Sequence, residues 1–193
     1  MAQLLDRIAK DLNVTGYRKR SAEARAWLQG KVRALGGVSR AGIVKDPART
    51  TAAAYIGRMF FFFYNPKLKE TLPYYDKFPL VMPIEMYNDG FLGVNFHYLP
   101  LNLRVHLLDS LYTLTNNKKF DDSTRIQASY TILNSMSRYK EFKPCVKRYL
   151  AAGIMSNMVD IEAASWETAI FLPVENFAKA SSAQVWSDSR EQI

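Results

Sequence analysis

The chain has 193 residues, 48% of them hydrophobic and 23% charged, with a formal net charge of +8. That length suits one ordinary domain with room for arms, and the composition is that of a chain able to bury a core. It excludes a low-complexity or helical membrane-spanning protein, because no apolar run approaches the ~18 residues of a membrane helix. Cys145 is the single cysteine, so an intrachain disulfide is excluded and the redox compartment stays open.

The location of the charge says more than its size. Residues 1–58 hold twelve Lys or Arg against four Asp or Glu, whereas residues 59–193 hold fourteen of each. A basic segment joined to a neutral body suits a polyanionic partner: nucleic acid, an acidic protein surface or an anionic membrane. The alternative is a solvated basic face that aids solubility. The opening MAQLLDRIAKDL is charged and amphipathic, without the apolar core of a signal peptide, so the expected compartment is a cytoplasm.

Leu4, Leu5, Ile8 and Leu12 form one stripe of a first helix, broken by Asn13 to Gly16. Arg18, Lys19 and Arg20 follow as a basic cluster. Ser21 is a suitable N-cap for a second helix, whose apolar stripe is Ala24, Trp27, Leu28, Val32 and Leu35. Arg25, Lys31 and Arg33 lie off that stripe. The stripe is too apolar for a free helix and must dock on the body or on another subunit. Gly36 and Gly37 stop it, and residues 38–54 are expected as an extended connector.

Residues 55–64 read as a strand. Phe60, Phe61, Phe62 and Phe63 cannot alternate in and out of one core, so both faces must be covered. Residues 67–77 form a Lys- and Tyr-rich loop. Two apolar runs, Pro79 to Met86 and Phe91 to Tyr98, flank an Asp89-Gly90 turn and predict a hairpin. Pro79 and Pro83 lack ladder donors, so the first arm is expected as an edge or irregular strand. The C-terminal half reads as mainly helical. One helix follows Pro100, with Leu103, Leu107, Leu108, Leu111, Tyr112 and Leu114 on one face. A second is capped by Asp122 or Ser123 and faced by Ile126, Tyr130, Leu133 and Met136. A third, short helix starts at Pro144 and runs through Leu150. Residues 154–160 suit a further strand, and Ser165 to Leu172 a helix. The tail carries Val185 and Trp186 as anchors, in a short helix or a docking peptide.

The expected architecture is therefore α+β: a small antiparallel sheet of three or more strands over residues 55–98, packed with a mainly helical C-terminal half and an N-terminal helical arm. The expected division is a basic helical arm and linker (1–54), a compact body (55–178) and a C-terminal docking tail (179–193).

No residue set points to catalysis. His97 and His106 lack Cys, Asp or Glu at metal-ligand spacing and read as structural histidines. Asp121 and Asp122, with Asp109 one helix earlier, are too few for a two-metal nuclease, and Asp122 is explained as a cap. There is no Gly-x-Ser-x-Gly elbow and no phosphate-binding glycine loop. Lys143, Lys147 and Arg148 around Cys145 would lower a thiol pKa, yet a structural cysteine is the expected reading. Arg138-Tyr139-Lys140 and Lys147-Arg148-Tyr149 interleave cations with aromatics, as single-strand binders do, although a solvated helix face explains them as well. The expected polyanion or acidic-partner contacts are Arg18, Lys19, Arg20, Arg25, Lys31 and Arg33. The expected interface residues are Trp27, Tyr74, Tyr75 and Trp186. No metal or cofactor is expected.

The phrases YNPKLKETLPYYDKFPLV, NDGFLGVNFHYLP, FKPCVKRYL, FLPVENF and VWSDSR, taken as a set, resemble a family of small virion-associated proteins of contractile-tailed bacteriophages, notably marine and cyanobacterial myoviruses. The resemblance covers roughly residues 57–190. It implies a non-enzymatic structural or assembly protein of the tail or baseplate, held by several protein interfaces in the virion and assembled in the host cytoplasm. The alternative it leaves is a DNA-binding protein acting at packaged genome ends or at the portal or neck. A magnesium-dependent nuclease is the weakest possibility.

Overall fold

Four consecutive phenylalanines set the layering. In the computed structural model, which describes residues 2–45, 49–115 and 140–193, Phe60 and Phe62 bury on one face of a sheet and Phe61 on the other. Period-two alternation forces this split, and each face then needs its own apolar cover. The larger face packs Met59, Phe61, Leu80, Met82, Ile84, Val94, Val159 and Ile161 against the helices. The smaller gathers Phe60, Phe62, Tyr64, Val81, Phe91, Tyr149 and Met158. Rings there meet edge-on or stacked, with Phe62 5.5 Å from Tyr149 and Phe91 5.3 Å from Tyr149.

The main sheet is antiparallel and six-stranded: β1 (Thr50–Thr51), β7 (Met158–Ile161), β2 (Met59–Phe61), β4 (Leu80–Tyr87), β5 (Gly90–Asn95) and β6 (Val146–Leu150), in that spatial order. A two-stranded ribbon pairs β3 (Tyr75–Asp76) with β8 (Phe177–Ala178). The described helices are α1 (Ala2–Val14), α2 (Ala22–Ala34), α3 (Arg40–Val44), α4 (Leu101–Thr115), α5 (Trp166–Phe171) and α6 (Ser182–Glu191). The fold class is α+β, as the sequence predicts.

Several elements differ from expectation. The hairpin forms, but Tyr87 pairs with Gly90, so Asn88 and Asp89 make the turn. Gly90 is needed for another reason: a Cβ there would lie 2.0 Å from the Tyr149 carbonyl oxygen on β6, at a φ of +150°. Of the two alternatives expected for the arm β4, it is the irregular strand and not the edge. It lies between β2 and β5, and Pro83 is tolerated because the register shifts between Pro83 and Glu85. Residues 38–54 are not wholly extended, since Ser39 caps α3 by accepting the Gly42 N–H at 3.1 Å and Ile43 is buried. The helix expected from Pro144 is instead a 3-10 segment, Lys140–Cys145, followed by β6. The unpaired edge of β5 supplies five register partners to residues 146–150, and that pairing outweighs local helical preference. Pro47, Asp121, the second C-terminal helix with its Asp122 or Ser123 cap, and Arg138-Tyr139 lie outside the described residues.

The N-terminal helices dock on the body. Leu5, Ile8 and Leu12 of α1, and Ala24, Leu28 and Val32 of α2, belong to the same buried cluster as the sheet and α5. Trp27 packs against that cluster while half-buried. The tail docks too. Ser181 caps α6, Val185 is fully buried, and the Trp186 indole N–H donates to the His97 carbonyl at 2.8 Å. No helix among the described residues is long and apolar enough to cross a membrane.

Candidate functional site

Docking changes the standing of the basic residues. Arg25 projects from α2 toward α4 and α5, where its Nε donates to Glu167 Oε1 at 2.9 Å and Nη1 to Asp109 Oδ2 at 3.1 Å. Its guanidinium is half-buried; burial opposes the charge, but hydrogen bonds and charge from Asp109 and Glu167 win, so its pKa is raised. Lys31 pairs with Asp11 of α1 at 3.1 Å and lies 5.4 Å from the Trp27 ring. Arg49 pairs with Asp6, and Arg58 with Asp160. Part of the basic surplus of residues 1–58 is thus spent fastening helices and strands.

Arg40 is likewise engaged, donating to the carbonyls of Val174 and Glu175 at 2.7 and 2.9 Å, whereas other cations of the segment face water. Arg18, Lys19 and Arg20 are exposed on the loop joining α1 to α2, and Arg33 is exposed on α2. Among the described residues no carboxylate pairs with Arg18, Lys19 or Arg33. Arg7 and Lys10 of α1 are also exposed, opposite the buried Leu5, Ile8 and Leu12. This helical hairpin is the most concentrated exposed basic feature of the N-terminal segment. Exposed cations can neutralise phosphates at little desolvation cost.

The expected interface residues largely serve the fold. Tyr74 packs 6.1 Å from Tyr98 and 6.4 Å from Phe177; burial, then the charge and hydrogen bond of Asp188, raise its pKa. Tyr75 lies in β3 opposite Ala178, half-buried. Trp186 is half-buried, with the Arg104 guanidinium 5.4 Å from its ring. The loop before β3 is fastened by the Lys179 ammonium, which donates to the carbonyls of Lys69, Glu70 and Leu72 at 2.7, 3.0 and 3.1 Å. Lys147 and Arg148 also fold onto aromatics: Lys147 sits 4.2 Å from the Tyr98 ring, and Arg148 sits 4.3 Å from Tyr87 and pairs with Asp89.

A buried polar cluster escapes sequence reasoning. Asp76 Oδ2 lies 2.7 Å from His97 Nδ1 and accepts from Asn95 Nδ2 at 3.2 Å, while Oδ1 accepts the Phe78 N–H at 3.0 Å. Asn95 Nδ2 also donates to the Tyr149 hydroxyl at 3.0 Å. Burial opposes ionisation of Asp76, but the charge and hydrogen bond of His97, with the bonds from Phe78 and Asn95, hold its pKa below the usual carboxylate value. Nearby, Arg104 is buried; it donates to the carbonyls of Leu99 and Ile170 and lies 3.5 Å from Glu175. The Asp–His pair resembles a catalytic dyad in spacing alone. Asp76 and His97 are 3% and 0% exposed, so the pair is closed to substrate, and through Asn95 and Tyr149 the cluster ties β3 to β5 and β6. The only sequence signal is local: Asp76 and Asn95 each sit two residues before an N–H that their side chain accepts.

His106 is exposed on α4, and Asp109 one turn on is paired with Arg25. The Cys145 thiol is buried, and burial pushes its pKa up, the opposite of the activation that its basic neighbours suggest. The recess beside Leu5, Ile43 and Phe61 is apolar except for Arg49. Among the described residues no three His, Cys, Asp or Glu converge as a metal site would require.

No curated protein and no solved structure matches the chain. A family model does match, over residues 25–189, which begins within α2 and runs through the sheet and the docked tail to α6. That match spans well over half of the sequence and makes this a bacteriophage protein: the chain belongs to the Phage T4 terminal DNA protecting protein family.

Proposed function

We propose that the protein binds the ends of linear phage DNA and shields them, acting by occupancy rather than by catalysis. The family match over residues 25–189 carries this reading. It is supported by the exposed Arg18, Lys19, Arg20 and Arg33 of the α1–α2 hairpin, of which Arg33 lies inside the matched stretch and the loop cations just before it. Shielding an end requires sequence-independent grip, and phosphate contacts from Arg and Lys supply grip without reading bases. The family match favours this role over the tail or baseplate role that the sequence phrases suggest first. Its place would be the virion or the infected cell, beside other virion proteins that hold the packaged genome.

The test is exonuclease digestion of a blunt linear duplex, with and without the protein, beside affinity measurements on linear and covalently closed circular DNA across a salt series. The expected result is protected termini, tighter binding to the linear form, and affinity that falls steeply with salt, with a log–log slope of about −0.9 per phosphate neutralised. Equal binding to both forms with unprotected ends would overturn the proposal.

A further inference from the structure

The loop between α1 and α2 is built to present an aromatic ring among cations. Tyr17 is 44% exposed, and its neighbours Arg18, Lys19 and Arg20 are all exposed. The loop is held in shape by local bonds. Thr15 Oγ1 donates to the Leu12 carbonyl at 2.7 Å, the Tyr17 N–H donates to Thr15 Oγ1 at 3.2 Å, and the Ser21 N–H donates to the Arg18 carbonyl at 3.0 Å. Gly16 and Arg20 both take left-handed backbone, with φ of 72° and 67°. The helices that flank the loop are anchored in the core, so the ring is carried on a fixed base. A Cβ added at Gly16 would meet nothing within 4 Å, so the loop is open on that side.

Most aromatics among the described residues are buried; Tyr17, Tyr55 and Tyr87 are exposed, and of these Tyr17 alone adjoins three consecutive exposed cations. A tyrosine left in water at the tip of a basic hairpin needs a flat partner in a field of negative charge. A duplex interior offers phosphates but no free base face. A duplex end offers both: the outer face of the terminal base pair, and the last phosphates of two strands close around it.

We infer that Tyr17 stacks on the terminal base pair of the duplex while Arg18, Lys19 and Arg20 contact the flanking phosphates, so that this loop discriminates an end from continuous DNA. The inference rests on the end-binding reading above and assigns its specificity to one side chain. Base–aromatic stacking is worth about 1–3 kcal/mol per base, which is about a 5- to 150-fold preference for an end over an internal site. The cations would add affinity for both kinds of site and little discrimination.

The experiment compares full-length protein with Tyr17→Ala, Tyr17→Trp and an Arg18→Gln/Lys19→Gln double variant, on a short blunt duplex and on a covalently closed circle of the same sequence. Tyr17→Ala should lose most of the preference for the duplex, about tenfold or more, while keeping its affinity for the circle. Tyr17→Trp should keep the preference. The double variant should weaken both substrates alike and shrink the salt slope by about 1.8. If the parent protein prefers ends and Tyr17→Ala prefers them equally, the inference fails and the end-binding reading stands. If the parent protein shows no preference, the end-binding reading fails and takes the inference with it. Circular dichroism and thermal unfolding of Tyr17→Ala, expected to match the parent, tie any change in binding to the loop.

Discussion

Arg25 separates a structural from a DNA-binding account of the basic segment. Its guanidinium joins α2 to α4 through Asp109 and to α5 through Glu167. The two arms are unequal, because the Asp109 side chain is 44% exposed and Glu167 only 10%. Water screens the first arm, which contributes about 0.2–1 kcal/mol. Removing the cation from the second leaves a carboxylate with almost no access to water, at a cost of about 1–3 kcal/mol. Arg25→Ala should therefore destabilise the fold by about 2–3 kcal/mol, which lowers Tm by about 5–10 °C for a chain of this size. Thermal unfolding by circular dichroism measures the loss. In the Arg25→Ala background, Glu167→Gln should restore part of the stability, because it removes the stranded charge, and a double-mutant cycle isolates that coupling. The refuting result is an Arg25→Ala protein with parental Tm and a shallower salt slope on DNA. Arg25 would then be a phosphate ligand, and the ion pairs to Asp109 and Glu167 would be incidental.

Gly90→Ala should cost about 3 kcal/mol or more in denaturant unfolding, since its Cβ would overlap the Tyr149 carbonyl. Gly30→Ala, in the exposed middle of α2 with nothing within 4 Å, should instead stabilise by about 0.5–1 kcal/mol. Trp186→Ala removes the bond to the His97 carbonyl and the ring against Arg104, at about 2–3 kcal/mol, and hydrogen exchange should show α6 opening while the sheet stays protected. Asp76 has its folded-state pKa depressed, so its stabilisation is fully present above the unfolded value of about 3.9 and is lost as pH falls below it. Asp76→Asn should accordingly be less stable at neutral pH and show a flatter loss of stability below about pH 4 than the parent protein; equal acid sensitivity of the two would refute the role of that carboxylate.

The four phenylalanines, the hairpin of β4 and β5, the Ser21 cap and the apolar stripes of α1 and α2 are legible in the sequence because each is a local pattern. A strand alternates, a cap bonds three residues ahead, and a stripe repeats along one helix. Residues 144–150 are not legible in this way. Their local preference is ambiguous, and only the open edge of β5 makes them a strand. The same holds for Gly90, which reads locally as a turn glycine but is required by a carbonyl on a strand about sixty residues away.

The candidate site divides likewise. Composition places the positive charge in the first 58 residues, and no folding detail changes that sum. Which cations remain available is decided by partners distant in sequence: Arg25 is taken by Asp109 and Glu167, Arg49 by Asp6 and Glu162, and Arg58 by Asp160, while Arg18, Lys19 and Arg33 are left to solvent. Charge is a property of the residue, so the sequence determines it alone. Availability is a property of the surroundings, because an ion pair needs two groups within a few ångströms, and only the tertiary structure brings them there.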